Sequence, residues 1–409
     1  MPPTKTARRL RLCGSIVTAT LLQGALALPA SAQFITSDRT VAGGNPLNGN
    51  YIGQTVWVGV SNVANGIVTR VPNVQVDVIA PARFSYSDQT GGGLAAYSNS
   101  VVRVYGGTFD QISSTGAGGG VSFFDTSTGF ISGGTMNSLT LSGAAPGAAG
   151  AQATVSGGLV QGLAYVINGT LNVSGGTLRS QGAQSGIAAG AGSVVNLSSG
   201  LVQSDQGAAL YLDSDSAFRM TGGTATGGSG GNARWGVRAQ YLTTTAVLRG
   251  GTVNGGMRTE GLNSQVLPQA ALGGSLTVNG GVFAYAHAAV DVTGGSYTPF
   301  SGADASFFAM GTNTINFYGT GLGLSAPVAG QVFELNNYLG NFYTFTSGTF
   351  SDGQSAVGLR LFDALSVAGN NLPGGFTLNP SPVPEPGTWL LMLLALPAVA
   401  AAARRERRT

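Results

Sequence analysis

Residues 173–178 read Val-Ser-Gly-Gly-Thr-Leu, and variants of this six-residue phrase recur along the middle of the chain. The related phrases are VYGGTF (104–109), ISGGTM (131–136), VSGGLV (155–160), LSSGLV (197–202), MTGGTA (220–225), LRGGTV (248–253), VNGGVF (278–283) and VTGGSY (292–297). From the first phrase to the last, eight intervals span 188 residues, which is a mean of 23.5. A repeat of this length is typical of a solenoid, in which each repeat forms one turn.

The residues of the phrase favour strands over helices. Apolar residues alternate ahead of the glycine pair, as at Leu171 and Val173, and alternation is the period of a strand. The glycine pair allows a sharp bend at positive φ, and a threonine or an apolar residue then resumes the strand. The sequence therefore predicts an all-β fold, a right-handed parallel β-helix. Its nine turns, stacked about 4.8 Å apart, would form a section roughly 40 Å long.

Equivalent positions of the phrase should stack into columns, because each turn lies on the preceding one. The second residue after the glycine pair is expected to form an inward apolar column: Phe109, Met136, Val160, Leu178, Val202, Ala225, Val253, Phe283 and Tyr297. The residue directly after the pair is expected to form an outward column rich in hydroxyl groups: Thr108, Thr135, Thr177, Thr224, Thr252 and Ser296.

The segments on either side of the repeat define the predicted domain organisation. We expect an N-terminal cap with early turns at 33–100, the repeat β-helix at 101–299 and a C-terminal β cap at 300–369. Within the last segment, Asp352-Gly353 between alternating runs is a signal for a β-hairpin. Residues 370–387 contain five prolines and are expected to form a linker.

The N-terminus has the features of a secretory signal peptide at residues 1–32. A basic region ends at Arg11, and an apolar stretch follows from Ile16 to Leu28. Ala30 and Ala32 then match the small-x-small site of signal peptidase, so we expect cleavage after Ala32 and export across the inner membrane. The only cysteine, Cys13, lies inside this segment, so the mature body would contain none, which suits an oxidising compartment.

The C-terminus combines three features in order. Val383-Pro384-Glu385-Pro386 is a stiff, helix-incompatible tetrapeptide, and residues 388–403 form an apolar run without charge. The sequence predicts that residues 388–409 form a transmembrane helix with a basic tail, anchored in the inner membrane until it is processed. Four arginines of the tail should stop transfer through the membrane: Arg404, Arg405, Arg407 and Arg408.

This combination resembles the PEP-CTERM sorting signal of Gram-negative bacteria, over residues 383–409. The resemblance implies that an exosortase recognises Pro384, Glu385 and Pro386 and removes the anchor. It also implies a final location at the cell surface or in the extracellular matrix, since substrates of exosortases are associated with extracellular polysaccharide and biofilm. Separately, the Gly-Gly-Thr strand phrases resemble the β-helical passenger domains of autotransporters and large adhesins.

The charge distribution argues against nucleic acid as a partner. Only 9% of the residues are charged. Residues 33–387 contain eleven arginines, no lysine, twelve aspartates and three glutamates, which gives a net charge of −4. Nucleic-acid binding requires clustered basic side chains, and the basic residues at the two termini account for the overall positive charge.

One group of residues is a candidate for catalysis. Asp213-Ser214-Asp215 lies beside Asp205 and Arg219. Two carboxylates that are two residues apart on a strand share a face, as a calcium site or an acid–base pair requires. A solvated edge or loop is the simpler interpretation of the same residues.

A second group is a candidate for binding. Arg234 and Arg238 lie near Trp235, and such residues bind acidic sugars by charge and stacking. They also fit an ordinary protein surface. The single histidine, His287, has no G-x-S-x-G context of the kind found in serine hydrolases.

The sequence as a whole favours a non-enzymatic protein, and it predicts no catalytic residue, no cofactor and no metal site. The predicted function is that of an exported, exosortase-processed structural or adhesin-like protein of the cell surface or extracellular matrix, associated with exopolysaccharide or biofilm. Two alternatives remain open. One is a matrix-acting polysaccharide lyase or hydrolase of the β-helix fold, and the other is a carbohydrate-binding protein.

Overall fold

The computed structural model describes residues 32–379, apart from 53–54, 65–66, 87–92, 112–119, 146–149, 230–233, 241–242, 262–268, 301–303, 312, 333–337 and 365–374. Over the described ranges the chain forms strands and turns and contains no helix. Residues 1–31 of the predicted signal peptide (1–32), the PEP motif and the predicted transmembrane helix lie outside these residues. Among the described residues there is accordingly no helix of the length and hydrophobicity that a membrane span requires.

Most strands have two to five residues, and between Thr170 and Asn279 these alternate with five strands of ten or eleven residues. They are β1 (Ala32–Ile35), β2 (Asn50–Ile52), β3 (Thr55–Val58), β4 (Val60–Ala64), β5 (Ile67–Arg70), β6 (Gln75–Val78), β7 (Arg83–Tyr86), β8 (Leu94–Ala96), β9 (Val101–Val104), β10 (Thr108–Gln111), β11 (Val121–Phe124), β12 (Thr128–Ile131), β13 (Thr135–Met136), β14 (Leu139–Ser142), β15 (Gln152–Val155), β16 (Leu159–Val160), β17 (Ala164–Ile167), β18 (Thr170–Ser180), β19 (Ile187–Gly190), β20 (Val194–Ser204), β21 (Leu210–Leu212), β22 (Ala217–Thr226), β23 (Val237–Gln240), β24 (Thr245–Asn254), β25 (Met257–Glu260), β26 (Gln269–Asn279), β27 (Val282–Tyr285), β28 (Ala289–Val292), β29 (Ser296–Thr298), β30 (Phe307–Met310), β31 (Thr314–Leu324), β32 (Val328–Val332), β33 (Tyr338–Phe350), β34 (Arg360–Ala364) and β35 (Gly375–Asn379).

Parallel pairing arranges most of these strands into three stacks, which are the faces of a β-solenoid. Face 1 is the stack β1, β3, β8, β11, β14, β17, β19, β21, β23, β25, β27, β30 and β34. Face 2 is the stack β6, β9, β12, β15, the first halves of β18, β20, β22, β24 and β26, and then β28, β31 and β35. Face 3 is the stack β2, β7, β10, β13, β16, the second halves of the same five long strands, and β29.

One turn of the chain visits the three faces in order. β17 lies in face 1, and β18 then covers face 2 up to Val173 and face 3 from Thr177. Between the two halves, Gly175 and Gly176 form the bend, and the next turn begins at Ile187, 23 residues after Ala164. The solenoid and its glycine bends, predicted from the repeated phrase, are confirmed.

The inward column is also confirmed at eight of its nine predicted positions. Pairing aligns Phe109 with Met136, and the column continues one residue per turn through Val160, Leu178, Val202, Ala225, Val253 and Tyr297. All of these side chains are buried. The predicted hydroxyl column lies beside it in the same register, with Thr108, Thr135, Thr177, Thr224, Thr252 and Ser296 on the outer side.

The prediction for Phe283 is wrong. Val278 occupies the column position between Val253 and Tyr297, whereas Phe283 lies in β27 of face 1 and points away from the central core. The reason is that Gly280 and Gly281 form the bend that follows face 3, and Gly273-Gly274 supplies the bend between faces 2 and 3 in that turn. Two glycine pairs within one turn look alike in sequence, although they serve different corners.

The glycine bend leads to a testable prediction. Gly176 has a φ of 72°, and a Cβ atom there would lie 2.8 Å from the carbonyl group of Gly157 in the turn below. Because both the left-handed backbone and this contact oppose a side chain, Gly176→Ala should lower the free energy of unfolding by about 3 kcal/mol. Gly182→Ala is the matched control, since a Cβ atom at Gly182 has no atom within 4 Å. Urea unfolding of both variants measures the difference, and equal midpoints would contradict the stacked-bend geometry.

The C-terminal part of the solenoid carries an antiparallel insertion. β33 pairs antiparallel with β31, β32 and β34. The turn that follows β33 contains Asp352 and Gly353, and the Asp352 carboxylate accepts a hydrogen bond from the Gly295 amide at 3.0 Å. Gln354 in the same turn donates to the Gly274 carbonyl at 3.0 Å. The insertion is therefore attached to the glycine bends of two successive turns.

Candidate functional site

The outer side of face 1 carries a group of aromatic and cationic side chains on three successive turns. Strands β21, β23 and β25 place Tyr211, Arg238 and Arg258 in one outward column, in direct register from turn to turn. The strand sequences VRAQ and MRTE explain this, because alternation sends Val237 and Met257 into the core and the arginines outward. These three turns therefore place a tyrosine and two arginines side by side on the outer side of face 1.

A single carboxylate lies between the two arginines. Glu260 follows in the neighbouring outward column, and its Oε2 atom is 2.9 Å from Arg258 Nη2 and 3.9 Å from Arg238 Nη2. Gln240 donates a hydrogen bond to the same Glu260 oxygen at 2.5 Å, and it accepts one from the Tyr211 hydroxyl at 3.0 Å. Hydrogen bonds and ion pairs therefore connect five side chains of successive turns: Tyr211, Arg238, Gln240, Arg258 and Glu260.

Aromatic rings support the guanidinium groups. The Arg258 Cζ atom lies 4.2 Å from the ring centroid of Tyr285 and 5.8 Å from that of Trp235. The Arg234 Cζ atom lies 3.9 Å from the ring centroid of Phe300. Such contacts hold an arginine head by its flat face and so fix the direction of its N–H groups.

A second hydrophobic cluster, separate from the central core, lies beneath this surface. Trp235 contacts Phe283 edge-on at a centroid distance of 4.7 Å, and Phe283 stacks on Phe308 at 4.2 Å. Their side chains are almost completely buried. The group of side chains that we call the Arg–aromatic patch consists of the partly exposed Tyr211, Arg234, Arg238, Arg258, Glu260 and Tyr285 and of the buried Trp235 and Gln240. Its rigid floor holds the polar heads in place.

Of the candidate binding residues, Trp235 contacts Arg258, and Arg238 is linked to Arg258 through Glu260, whereas Arg234 contacts Phe300 of the hydrophobic cluster. The structure adds Arg258 and Tyr285, which sequence reasoning missed. Arg258 lies 20 residues beyond Arg238, one turn along the solenoid. The signal for it was present, because both residues occupy the second position of an alternating strand. Finding it requires the register of its turn, in which the bend between faces 2 and 3 is Gly273-Gly274 and not one of the recurring six-residue phrases.

The predicted acidic group has a different arrangement from the one expected. Asp213 and Asp215 do not lie on a strand: β21 ends at Leu212, and the following turn has Asp215 in the left-handed region with a φ of 59°. The Asp213 carboxylate accepts a hydrogen bond from the Ser214 amide at 2.7 Å, and Asp215 accepts one from the Thr243 hydroxyl. The two carboxylates therefore do not share a strand face, and the structure agrees with the simpler interpretation of a loop.

The other members of the acidic group lie elsewhere on the cross-section. Asp205 follows the face 3 half of β20 and forms an ion pair with Arg179, with an N–O distance of 3.0 Å. Arg219 lies in the face 2 half of β22, in register with Asn196. The Asp213 carboxylate acts on Tyr165. The pKa of the Tyr165 hydroxyl is raised by burial and, to a smaller extent, by the negative charge of Asp213. The described residues contain no group of three or more His, Cys, Asp or Glu side chains placed to hold a metal ion.

His287 lies in the turn between β27 and β28, with a φ of 60°. This turn connects face 1 to face 2 in the same turn of the solenoid that contributes Tyr285. The histidine is partly exposed.

Comparison with known proteins concerns the C-terminus. Residues 382–408 match the family model described as the PEP-CTERM protein-sorting motif. The match contains the predicted recognition residues Pro384, Glu385 and Pro386 and the four tail arginines, all of which lie outside the described residues. No curated protein and no solved structure matches the chain. The motif is that of an exported protein sorted by an exosortase, with a C-terminal anchor before processing.

Proposed function

We propose that this chain, which carries a PEP-CTERM protein-sorting motif after a β-solenoid body, is a non-enzymatic structural protein of the cell surface or extracellular matrix. The observation that carries the proposal is the combination of the motif at residues 382–408 with a solenoid that extends to Asn379. The proposed sequence of events is export, temporary anchoring in the inner membrane through residues 388–403, processing by an exosortase, and release into the matrix.

The body suits a structural role because its geometry is repetitive and rigid. Between Val101 and Thr298 the nine face 2 strands stack at about 4.8 Å, so this section is about 40 Å long. The backbone pairs with the turns above and below it, and one continuous apolar core runs along the axis. A rod of this kind presents side chains at fixed intervals along its length.

The connection between body and motif is short. β35 ends at Asn379 and pairs with β31 of face 2. Eight residues separate Asn379 from Thr388, where the apolar run begins, and even a fully extended chain would cover only about 30 Å over that distance. The C-terminal turns of the solenoid would therefore stay near the membrane while the protein is anchored.

The rival interpretation, a polysaccharide lyase or hydrolase, is tested directly. We expect the full chain to release neither unsaturated products nor new reducing ends from polygalacturonate or from the producing strain's own exopolysaccharide. The double variant Asp213→Ala, Asp215→Ala should give the same result, because these carboxylates are engaged in a turn and not paired across a strand. Asp110→Ala, which removes an exposed carboxylate on face 3, is the matched control. Product release that disappears only in the double variant would overturn the structural proposal.

The location is tested by fractionating producing cells with and without an active exosortase. We expect the processed protein outside the inner membrane in the first case and the longer, anchored form within the inner membrane in the second. An identical distribution in both cells would contradict processing by an exosortase.

A further inference from the structure

The Arg–aromatic patch is a basic region on a weakly acidic body. Residues 227–303 contain four arginines and two acidic residues, whereas residues 33–387 as a whole carry a net charge of −4. Of the two acidic residues, Glu260 belongs to the patch and Asp291 lies in face 2. The patch itself thus contains three arginines and one glutamate. A local excess of positive charge of this kind attracts anions.

The stacking of two arginines on adjacent turns has an energetic cost. Arg238 and Arg258 are direct register partners, about 4.8 Å apart along the axis, and like charges placed opposite each other on strands repel. Glu260 is within 4.0 Å of both and reduces this repulsion. The solenoid retains this arrangement on an aromatic floor, which indicates a preorganised surface that favours carboxylates.

Two rings on the turns before and after the arginines add a second kind of contact. Tyr211 lies one turn before Arg238, and Tyr285 lies one turn after Glu260. Both rings are partly exposed, and the three steps from β21 to β27 extend over about 14 Å. A ring face next to a guanidinium edge suits a molecule with both apolar faces and carboxylates.

We propose that the Arg–aromatic patch binds an acidic polysaccharide whose carboxylate groups pair with Arg238 and Arg258 while its sugar rings contact Tyr211 and Tyr285. The chain of the polysaccharide would run along the solenoid axis, because these four residues lie on four successive turns. This inference rests on the proposed extracellular function and gives it a ligand class. It concerns binding alone, and no bond is made or broken.

A glycan fits the patch better than a nucleic acid does. Binding to a phosphate backbone usually engages many flexible basic side chains, commonly six to ten contacts. Here the arginines are few and are held by ring contacts and by Glu260, and the side chains of Arg258 and Arg238 are only 13% and 27% exposed. Such fixed groups suit carboxylates spaced at regular intervals along a stiff polymer.

The test measures binding of the full chain, purified in detergent, to polygalacturonate, with dextran as a neutral polysaccharide and duplex DNA as a second polyanion. We expect binding to polygalacturonate that weakens as salt rises, and no binding to dextran. The double variant Arg238→Gln, Arg258→Gln should bind polygalacturonate at least about tenfold more weakly, because charge-assisted hydrogen bonds are lost. The single variant Arg238→Gln, which changes the more exposed of the two arginines, should bind polygalacturonate about threefold more weakly. If the double variant is unstable, this single variant still tests the proposal.

The matched control is Arg83→Gln, Arg179→Gln, which removes the same charge from face 3, where both arginines pair with single aspartates. This control should bind like the original protein. The proposal is overturned if polygalacturonate does not bind, if the control loses as much affinity as the patch variant, or if DNA binds more tightly through the same arginines. None of these outcomes affects the fractionation result, so failure of the site is distinguishable from failure of the proposed function.

Discussion

Leu178→Asp should unfold the central turns of the solenoid. Leu178 has no exposed surface, and it stacks between Val160 of the turn before and Val202 of the turn after. An aspartate there would place a carboxyl group without partners in the apolar core and leave part of the leucine volume empty. We expect a loss of about 5 kcal/mol in the free energy of unfolding, which is comparable to the whole stability of many domains. Because each turn depends on its neighbours, several adjacent turns should open together.

Thr177→Asp is the matched control for this substitution. Thr177 directly precedes Leu178 in β18, it is half-buried on the outer side, and its register partners Leu159 and Leu201 are outward as well. Its carboxylate would remain hydrated, so the loss should be less than half of that for Leu178→Asp. Urea unfolding followed by circular dichroism compares the two variants. Equal sensitivity to both would mean that the inward and outward assignments at this turn are incorrect.

Glu385→Ala should abolish processing while leaving export intact. Glu385 is the charged residue of the motif that the PEP-CTERM family model matches, and the apolar run at 388–403 is unchanged by the substitution. The chain would still cross the inner membrane and be anchored, but an enzyme that reads the Pro-Glu-Pro sequence would find no carboxylate there. We expect nearly all of the protein to accumulate in the inner membrane fraction at its unprocessed size.

Glu406→Ala is the control for that experiment. Glu406 is the other acidic residue of the matched segment and lies among the tail arginines, so its removal leaves the Pro-Glu-Pro sequence in place and the tail more basic. We expect normal processing of this variant. Release of the Glu385→Ala protein at the processed size would show that the signal is read at other residues.

The repeated phrase was sufficient to predict the solenoid because its information is local. Alternating apolar residues specify strands, and a glycine pair specifies a bend, whatever lies elsewhere in the chain. For this reason Leu178 and Thr177 could be assigned to opposite sides of a strand from the sequence. The same local information was ambiguous at Gly280-Gly281, where an identical pair serves another corner, and Phe283 was misplaced as a result.

The Arg–aromatic patch, in contrast, depends on contacts between turns and could not be predicted from local sequence. Arg234, Trp235 and Arg238 are close in sequence and could be named as one group, but Arg258 and Tyr285 join them only through the stacking of later turns. The candidate pairing of Asp213 with Asp215 depended on their separation of two residues. Two residues with this separation share a face only when they lie on a strand. The chain turns at that point, since β21 ends one residue earlier.

By itself, then, the sequence determined the strand and bend character of each repeat, the burial side of residues within a repeat, and the sorting motif at the C-terminus, since all three depend on neighbouring residues. The tertiary structure decided which turn each glycine pair belongs to, where the insertion around Asp352 attaches, and which arginines and rings meet on face 1. Those outcomes depend on register between turns that are about 20 to 30 residues apart, and register follows from loop lengths and from how each turn packs on the one below it.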